Sequence, residues 1–394
     1  MSEPSQALSP SFSELPALSL YIHIPWCIKK CPYCDFNSHA ATAELPEQAY
    51  VAALINDLTN DLGFVQGRKL KSIFLGGGTP SLFKPASMTA ILQAAEQQIG
   101  FSDDIEITLE ANPGTFEQQK FSAFRETGIN RLSIGIQSFQ QQQLERLGRV
   151  HNSAEALRAI EMARRAGFDN FNLDLMHGLP EQDIQQAMAD LQTAIDLSPT
   201  HLSWYQLTIE ANTEFYKHPP QLPSDDARWD IFEQGQALLA QHGYQQYEVS
   251  AYSQTGKASQ HNLNYWQFGD YLGIGAGAHG KITQLETAAK SAQIIRTRKT
   301  RTPNDYLNQI TAHQHIEVIA NEDIAGEFMM NALRLNGGFT AEHFKKYSGL
   351  ASSEIDKGLT AAHERGLITI TADNYIQPSS KGRLFLDDLV ALFI

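Results

Sequence analysis

The sequence predicts an α/β fold: a parallel sheet, either curved into an open barrel of the TIM type or laid out flat and doubly wound, with a small helical module behind it. Two observations carry this. Apolar runs at 18–24, 72–75, 106–110, 131–136, 171–176 and 202–207 alternate with loops and helical stretches, and strands alternating with helices pair in parallel. The chemically unusual residues also gather just after these runs, at the carboxyl ends of strands, where such folds keep their sites.

The 394 residues, 42% of them hydrophobic, are enough for one large core and a second, smaller domain. Residues 1–16, rich in Ser, Pro and Glu, read as a flexible N-terminus; with neither a basic start nor an apolar run they do not read as a secretory signal. The run at 18–24 is bounded by Pro25 and reads as a buried strand. At 44–62, Leu45, Ala49, Ala52, Ala53, Leu54 and Leu58 recur at helical spacing, which suits a crossover helix. The next strands lead into Gly76-Gly-Gly-Thr-Pro80, Asn112-Pro-Gly114 and Gln137-Ser-Phe, and helices are expected over 182–197 and 225–242. A further strand is expected over 244–252, followed by His261-Asn-Leu-Asn-Tyr-Trp266, a glycine-rich stretch at 272–280, and a connector over 281–302. Helices at 321–335 and 351–365, a hairpin of 367–371 with 375–378, and a last helix from Ser380 give a winged-helix-like order.

Charge excludes one class of partner. Thirty basic against 44 acidic residues leave a net charge of -14, which repels a phosphate backbone. Residues 340–394 hold 6 Lys and Arg against 7 Asp and Glu, whereas a DNA-reading wing is basic; the module reads as packing over the barrel mouth. No apolar stretch has the length of a membrane span, and the expected compartment is the cytoplasm, where thiols stay reduced.

The chain has three cysteines, and all of them lie in Cys27-Ile-Lys-Lys-Cys31-Pro-Tyr-Cys34. A loop of this length can wrap one small object, and three thiolates suit an iron-sulfur cluster. A four-iron cluster held by three cysteines keeps one iron open. Zinc, with His23 or His39 as a fourth ligand, is the competing reading, although structural zinc sites favour two separated pairs. A disulfide would leave an odd thiol. The Gly76–Pro80 loop lets backbone approach a ligand closely. Glu110 ends an apolar strand, where a carboxylate is costly without a partner. His261 beside two aromatic residues reads either as a hydrogen-bonded loop residue or as an axial haem ligand, with Tyr265 and Trp266 against a flat macrocycle.

The C-x3-C-x2-C loop resembles the signature of radical S-adenosylmethionine (SAM) proteins. The words from Tyr21 to Ser38 and the later motifs resemble the coproporphyrinogen dehydrogenase branch and, within it, the HemW-type haem chaperones. The resemblance covers nearly the whole chain. It implies a partial (β/α)6 TIM-like radical SAM barrel over 17–255, a haem-motif segment and connector over 256–302, and a HemN-type winged-helix-like domain over 303–394. It also implies a 4Fe-4S cluster on Cys27, Cys31 and Cys34, with SAM chelating the open iron and held by Tyr21, Gly77, Gly78, Thr79, Glu110, Gln137, Arg149 and Asp174. SAM is a sulfonium cation, which carboxylates suit. The segment His261 to Trp266 resembles the H-N-x-x-Y-W motif of the chaperones and implies haem at His261, Asn262, Tyr265 and Trp266. Dehydrogenases carry a further cysteine two residues beyond the third cluster ligand, where this chain has Phe36. The expected function is a haem chaperone that passes haem to an acceptor protein; oxygen-independent coproporphyrinogen III dehydrogenase is the alternative, and a regulatory role for the tail is a third reading.

Overall fold

The computed structural model describes residues 10–41, 44–288, 290–308 and 314–394. Its centre is a sheet of 12 strands. These are β1 (Leu18–Ile24), β2 (Leu70–Gly77), β3 (Phe101–Ala111), β4 (Arg131–Gln137), β5 (Phe171–His177), β6 (His201–Gln206), β7 (Gln245–Glu248), β8 (Ala251–Ser253), β9 (Asp270–Ile274), β10 (His279–Gln284), β11 (Gln293–Lys299) and β12 (Gln314–Val318). The order across the sheet is β12-β11-β10-β9-β1-β2-β3-β4-β5-β6-β8-β7, with β9 and β1 to β6 running parallel.

From β1 to β6 each strand lies beside the one that precedes it in the chain. Right-handed crossovers then place every connecting helix on the same face, whereas a doubly wound sheet reverses its order at a switch point. The order is that of the open barrel expected from the sequence and not of the doubly wound alternative. Strand β1, LSLYIHI, is buried at six of seven positions because one face meets helices and the other meets the interior. On the interior face of β4 to β6, polar residues replace aliphatic ones. Asn172 donates to Asp174 Oδ1 and Ser133 Oγ, each at 2.8 Å, and its Oδ1 lies 2.7 Å from His201 Nδ1.

Three segments differ from expectation. The stretch read only as glycine-rich contains β9, a seventh parallel strand, with Leu20 opposite Leu272. Its glycines serve close strand packing: a Cβ on Gly273 would lie 1.9 Å from the His279 carbonyl oxygen. Residues 281–302, expected as a connector, form most of β10 and all of β11, which pair in antiparallel register from His279 opposite Arg298 to Gln284 opposite Gln293. Polar residues concealed these strands, since Lys281 is fully buried and held by Asp270 Oδ1 at 2.9 Å and Lys299 by Asp57 at 2.5 Å and Asp61 at 2.7 Å. The expected strand over 244–252 is two short antiparallel strands, β7 and β8.

The C-terminal module packs helices Ile324–Ala332, Ala341–Ser348 and Ser353–Glu364, a strand pair of Ile368–Ile370 with Ile376–Pro378, and short helices at Ser380–Leu384 and Leu386–Val390. Its core centres on Phe328, whose ring meets Phe339 at 5.2 Å and Phe344 at 5.0 Å edge-on. The helix at Ala341–Ser348 had no counterpart in the sequence reading. Asn336 joins the module to the barrel by hydrogen bonds to the Tyr247 and Gln246 carbonyls at 2.9 and 2.8 Å. Of the N-terminal stretch expected to be flexible, residues 1–9 lie outside the described residues. Further along it, Ser11 donates to the Gly349 carbonyl at 2.8 Å and Glu14 pairs with Lys346 at 2.9 Å.

Candidate functional site

The cysteine loop starts where β1 ends. Its two ends are clipped by a short parallel pair, Trp26–Cys27 with His39–Ala40, through His39 N–H to Pro25 O at 2.7 Å and Ala41 N–H to Cys27 O at 2.8 Å. A turn closed by Cys34 N–H on Cys31 O at 3.1 Å brings the second and third thiols round. Asn37 ties the loop to the neighbouring flank of the sheet, donating to the carbonyls of Ala276, just past β9, and Arg301, just past β11, at 2.9 Å each. All three thiols are half-buried and free, and all three line one cavity of about 400 Å³.

The zinc alternative loses one proposed ligand here. Both ring nitrogens of His23 are engaged, Nδ1 with Tyr21 OH at 3.0 Å and Nε2 with the Asn37 carbonyl at 2.9 Å. Among the described residues, no three His, Cys, Asp or Glu side chains are grouped as ligands of one ion would be; a cluster asks for a different arrangement, one thiolate per iron.

Opposite the cysteines, the cavity is lined by Gly77, Gly78, Thr79, Glu110, Asn112, Ser133, Gln137, Arg149, Asp174 and Tyr205. Seven of the eight expected SAM residues therefore converge on the space the thiols face. The glycine loop runs along the start of the cysteine loop, with Gly78 N–H on Ile24 O at 2.8 Å and Thr79 N–H on Trp26 O at 2.7 Å. Glycine is required there for two reasons: Gly77 has φ +112, and a Cβ on Gly78 would lie 2.6 Å from Trp26 O. Tyr21 is the exception. It lines an adjoining cavity of about 320 Å³ with His23, Asn37, Tyr265 and His279, divided from the first by Phe36, Gly77 and Glu110, which line both.

Arg149 organises the floor of the site. Its Nη2 donates to Asn112 Oδ1 at 2.6 Å and to Gly135 O at 2.8 Å, and its Nη1 reaches Cys31 Sγ at 3.4 Å. Asn112 in turn donates to Thr79 Oγ1 at 2.9 Å, and Tyr205 OH donates to Gln137 Oε1 at 2.8 Å. Asn112 and Tyr205 were not singled out from the sequence as site residues. Asn112-Pro-Gly114 was visible as a loop at a strand end, and Tyr205 lies on a recognised strand, but no local pattern marks their partners.

The two carboxylates are electrostatically poised. Burial, reinforced by the nearby Asp174 charge, pushes the Glu110 carboxyl up from 4.5 to about 8, against the Gly77 N–H that bonds its Oε2 at 3.1 Å. Burial also raises Asp174, while hydrogen bonds from Asn172 and Ser133 at 2.8 and 3.1 Å favour its ionised form. Two such groups facing one cavity favour a bound cation. Burial raises the Cys27 thiol too, and the Thr79 hydroxyl opposes that by favouring the thiolate.

The H-N-x-x-Y-W segment is a helix, Gln260–Trp266, packed inside the barrel against β2, β1 and β9. Its N-terminus sits on the Glu106 carboxylate, which accepts from Gln260 N–H at 2.9 Å and His261 N–H at 3.3 Å. His261 is 1% exposed, bonded through Nδ1 to Ser72 Oγ at 2.9 Å and stacked on Phe74 at 5.1 Å. The structure brings it to no open surface. Asn262 reaches Tyr247 OH at 3.4 Å, Tyr265 meets Tyr271 edge-on at 4.3 Å, and Trp266 lies under the Arg334 guanidinium at 4.4 Å.

Comparison with known proteins gives a consistent picture. A sequence model of the radical SAM superfamily matches residues 21–192, and one of the HemN C-terminal domain matches 319–385. The heme chaperone HemW of Escherichia coli is 51% identical over 381 residues, 97% of this chain and 99% of that protein. That of Haemophilus influenzae is 51% identical over 385 residues, again 97% and 99%. A mitochondrial radical S-adenosyl methionine domain-containing protein 1 of Mus musculus is 34% identical, covering 84% of this chain and 76% of its own. Among solved structures, coproporphyrinogen III oxidase HemN of Escherichia coli superposes with a TM-score of 0.79 at 22% identity, over 96% of this chain and 90% of that one, a likeness of fold.

Proposed function

The chain belongs to the HemW family of radical SAM proteins, and from that premise we propose that it is a haem chaperone that binds a 4Fe-4S cluster, SAM and haem, and hands haem to an acceptor protein in the cytoplasm. The observation that carries the reading is the single cavity faced by three thiols, a glycine loop and two buried carboxylates. The residues fit the groups the family implies. Cys27, Cys31 and Cys34 hold the cluster, and Arg149 steadies Cys31 by its 3.4 Å contact. Glu110 and Asp174 meet the positive charge of SAM, Gly77, Gly78 and Thr79 line its edge, Gln137 and Arg149 set the floor, and Tyr21 supports the wall through His23. When bound, the cluster supplies an electron to SAM; the protein positions the pair and keeps water out.

Phe36 separates the chaperone from the dehydrogenase. It is 63% exposed and lines both cavities at the position where the dehydrogenases carry their extra cysteine. The test is anaerobic reconstitution followed, on one sample, by haem titration and a porphyrinogen turnover assay. Haem binding with a Soret band and no decarboxylation of coproporphyrinogen is the expected result. Robust decarboxylation without haem binding overturns the reading in favour of the dehydrogenase. Among the described residues, no helix is long and apolar enough to cross a membrane.

A further inference from the structure

His261 lines neither the cysteine cavity nor the one beside it, which leaves the haem site open, and a second cavity answers the chemistry of that ligand. A cleft of about 480 Å³ lies between the sheet's outer face, the Asp225–Gln241 helix and the C-terminal module, within the range of roughly 300–1,000 Å³ usual for sites of drug-sized ligands. Resting on the haem-binding reading above, we propose that this cleft is where haem binds, with His177 as the ligand of its iron and Arg334 and Arg383 facing its propionates.

His177 ends β5 on the helix-facing side. It is 2% exposed, lines the cleft, and its Nδ1 is buried without a hydrogen-bond partner. A buried imidazole nitrogen with no partner is costly, and iron coordination supplies what the fold does not. Burial holds the ring's pKa down to about 4, so the free base needed for coordination is present at neutral pH. The walls suit a flat apolar ring. Trp204 lies against His177 at 4.1 Å, and Phe232, Trp229, Val249 and Leu384 also line the cleft. The last three are 42%, 38% and 49% exposed, an apolar rim that no described segment covers.

Charge selects the ligand further. The lining holds two guanidinium groups, Arg334 and Arg383, against one carboxylate, Glu233, a balance that favours a ring bearing carboxylates. The family-marking helix also gains a role here that does not require His261 to be exposed. Trp266 stacks under Arg334 at 4.4 Å, so the motif holds one of the proposed propionate partners in place. Ser250 lines both this cleft and the cysteine cavity, which makes the two neighbours.

The experiment is titration of the full-length protein with ferric protoporphyrin IX, followed by the Soret band, for the unmodified chain and for His177→Ala, Arg383→Glu, Trp266→Ala and His261→Ala. Expected are a shifted Soret maximum in His177→Ala, and affinity losses of about tenfold in His177→Ala and in Arg383→Glu, the scale of one strong polar contact. A smaller loss is expected in Trp266→Ala, and an unchanged Soret position in His261→Ala. Should His177→Ala not fold, Arg383→Glu at the cleft's edge decides. Wild-type haem binding with unaltered spectra and affinities in both His177→Ala and Arg383→Glu removes the site while leaving the chaperone reading intact. A Soret band lost only in His261→Ala removes it as well, and a chain that binds no haem removes both.

Discussion

Glu110 offers the most demanding test of the site. Its carboxyl titrates near 8 because burial and Asp174 both oppose its charge. If a cationic ligand such as SAM binds the ionised form, affinity follows the ionised fraction. That fraction is roughly one in a hundred at pH 6, one in ten at pH 7 and nine in ten at pH 9, so affinity should rise about 90-fold from pH 6 to pH 9. Binding below pH 8 should release a proton, and Glu110→Gln should flatten this part of the profile. The same residue sets a second, opposite trend in the ligand-free chain. A carboxyl whose folded pKa lies above its unfolded value binds more protons when folded, so its stabilising effect is complete below about 4.5 and is lost as pH rises through about 8. At about 1.4 kcal/mol per pH unit, the loss is at most about 4 kcal/mol between pH 5 and pH 9. Equilibrium dialysis of SAM on reconstituted protein, and urea unfolding of the ligand-free protein, read the two trends. Parallel pH profiles for wild type and Glu110→Gln in both assays would refute the argument.

Four further outcomes are expected. Replacing Cys27, Cys31 or Cys34 singly by Ala should remove the stable cluster signal by spectroscopy and iron analysis, and full clusters in all three variants would defeat the assignment. Gly77→Ala places a Cβ 2.4 Å from the His23 ring at φ +112; SAM binding should fall, and unchanged affinity would show the loop to be a simple turn. His261→Ala empties a buried site and leaves Ser72 without its 2.9 Å partner, at a cost of about 2–4 kcal/mol in denaturant unfolding; a cost below about 1 kcal/mol would argue against a packed barrel floor. Lys299→Met removes the buried ammonium that pairs with Asp57 and Asp61, which should cost about 3–5 kcal/mol in denaturant unfolding; a loss below about 1 kcal/mol would contradict that.

Much of the architecture was legible in short windows. The run at β1 was read with the bounds it has, Leu18–Ile24, because a strand buried on both faces is a continuous apolar run closed by proline. The cysteine loop was legible for a similar reason, since its spacing sits within one turn of chain. What escaped reading was polar or glycine-rich. Strand β9 was hidden by Gly273 and β10 by Lys281, residues that suit strands only because His279 O lies close to the one and Asp270 binds the other. The partners lie several residues away or across the sheet, outside the window in which periodicity is read.

By itself, then, the sequence determined the succession of strands from β1 to β6, the three-thiol loop, the glycine turn and the strand-end carboxylates, all properties of neighbours along the chain. Tertiary structure decided the rest. It placed His261 inside the barrel on Ser72, 189 positions away, and raised Glu110 by burying it, with Asp174 on a strand two places along the sheet adding to the effect. It set His177 beside a cleft that it shares with Arg334 and Arg383 of the C-terminal module. Local conformation follows from backbone sterics and side-chain spacing, but solvation and charge depend on every atom within a few ångströms, and only the folded chain brings those atoms together.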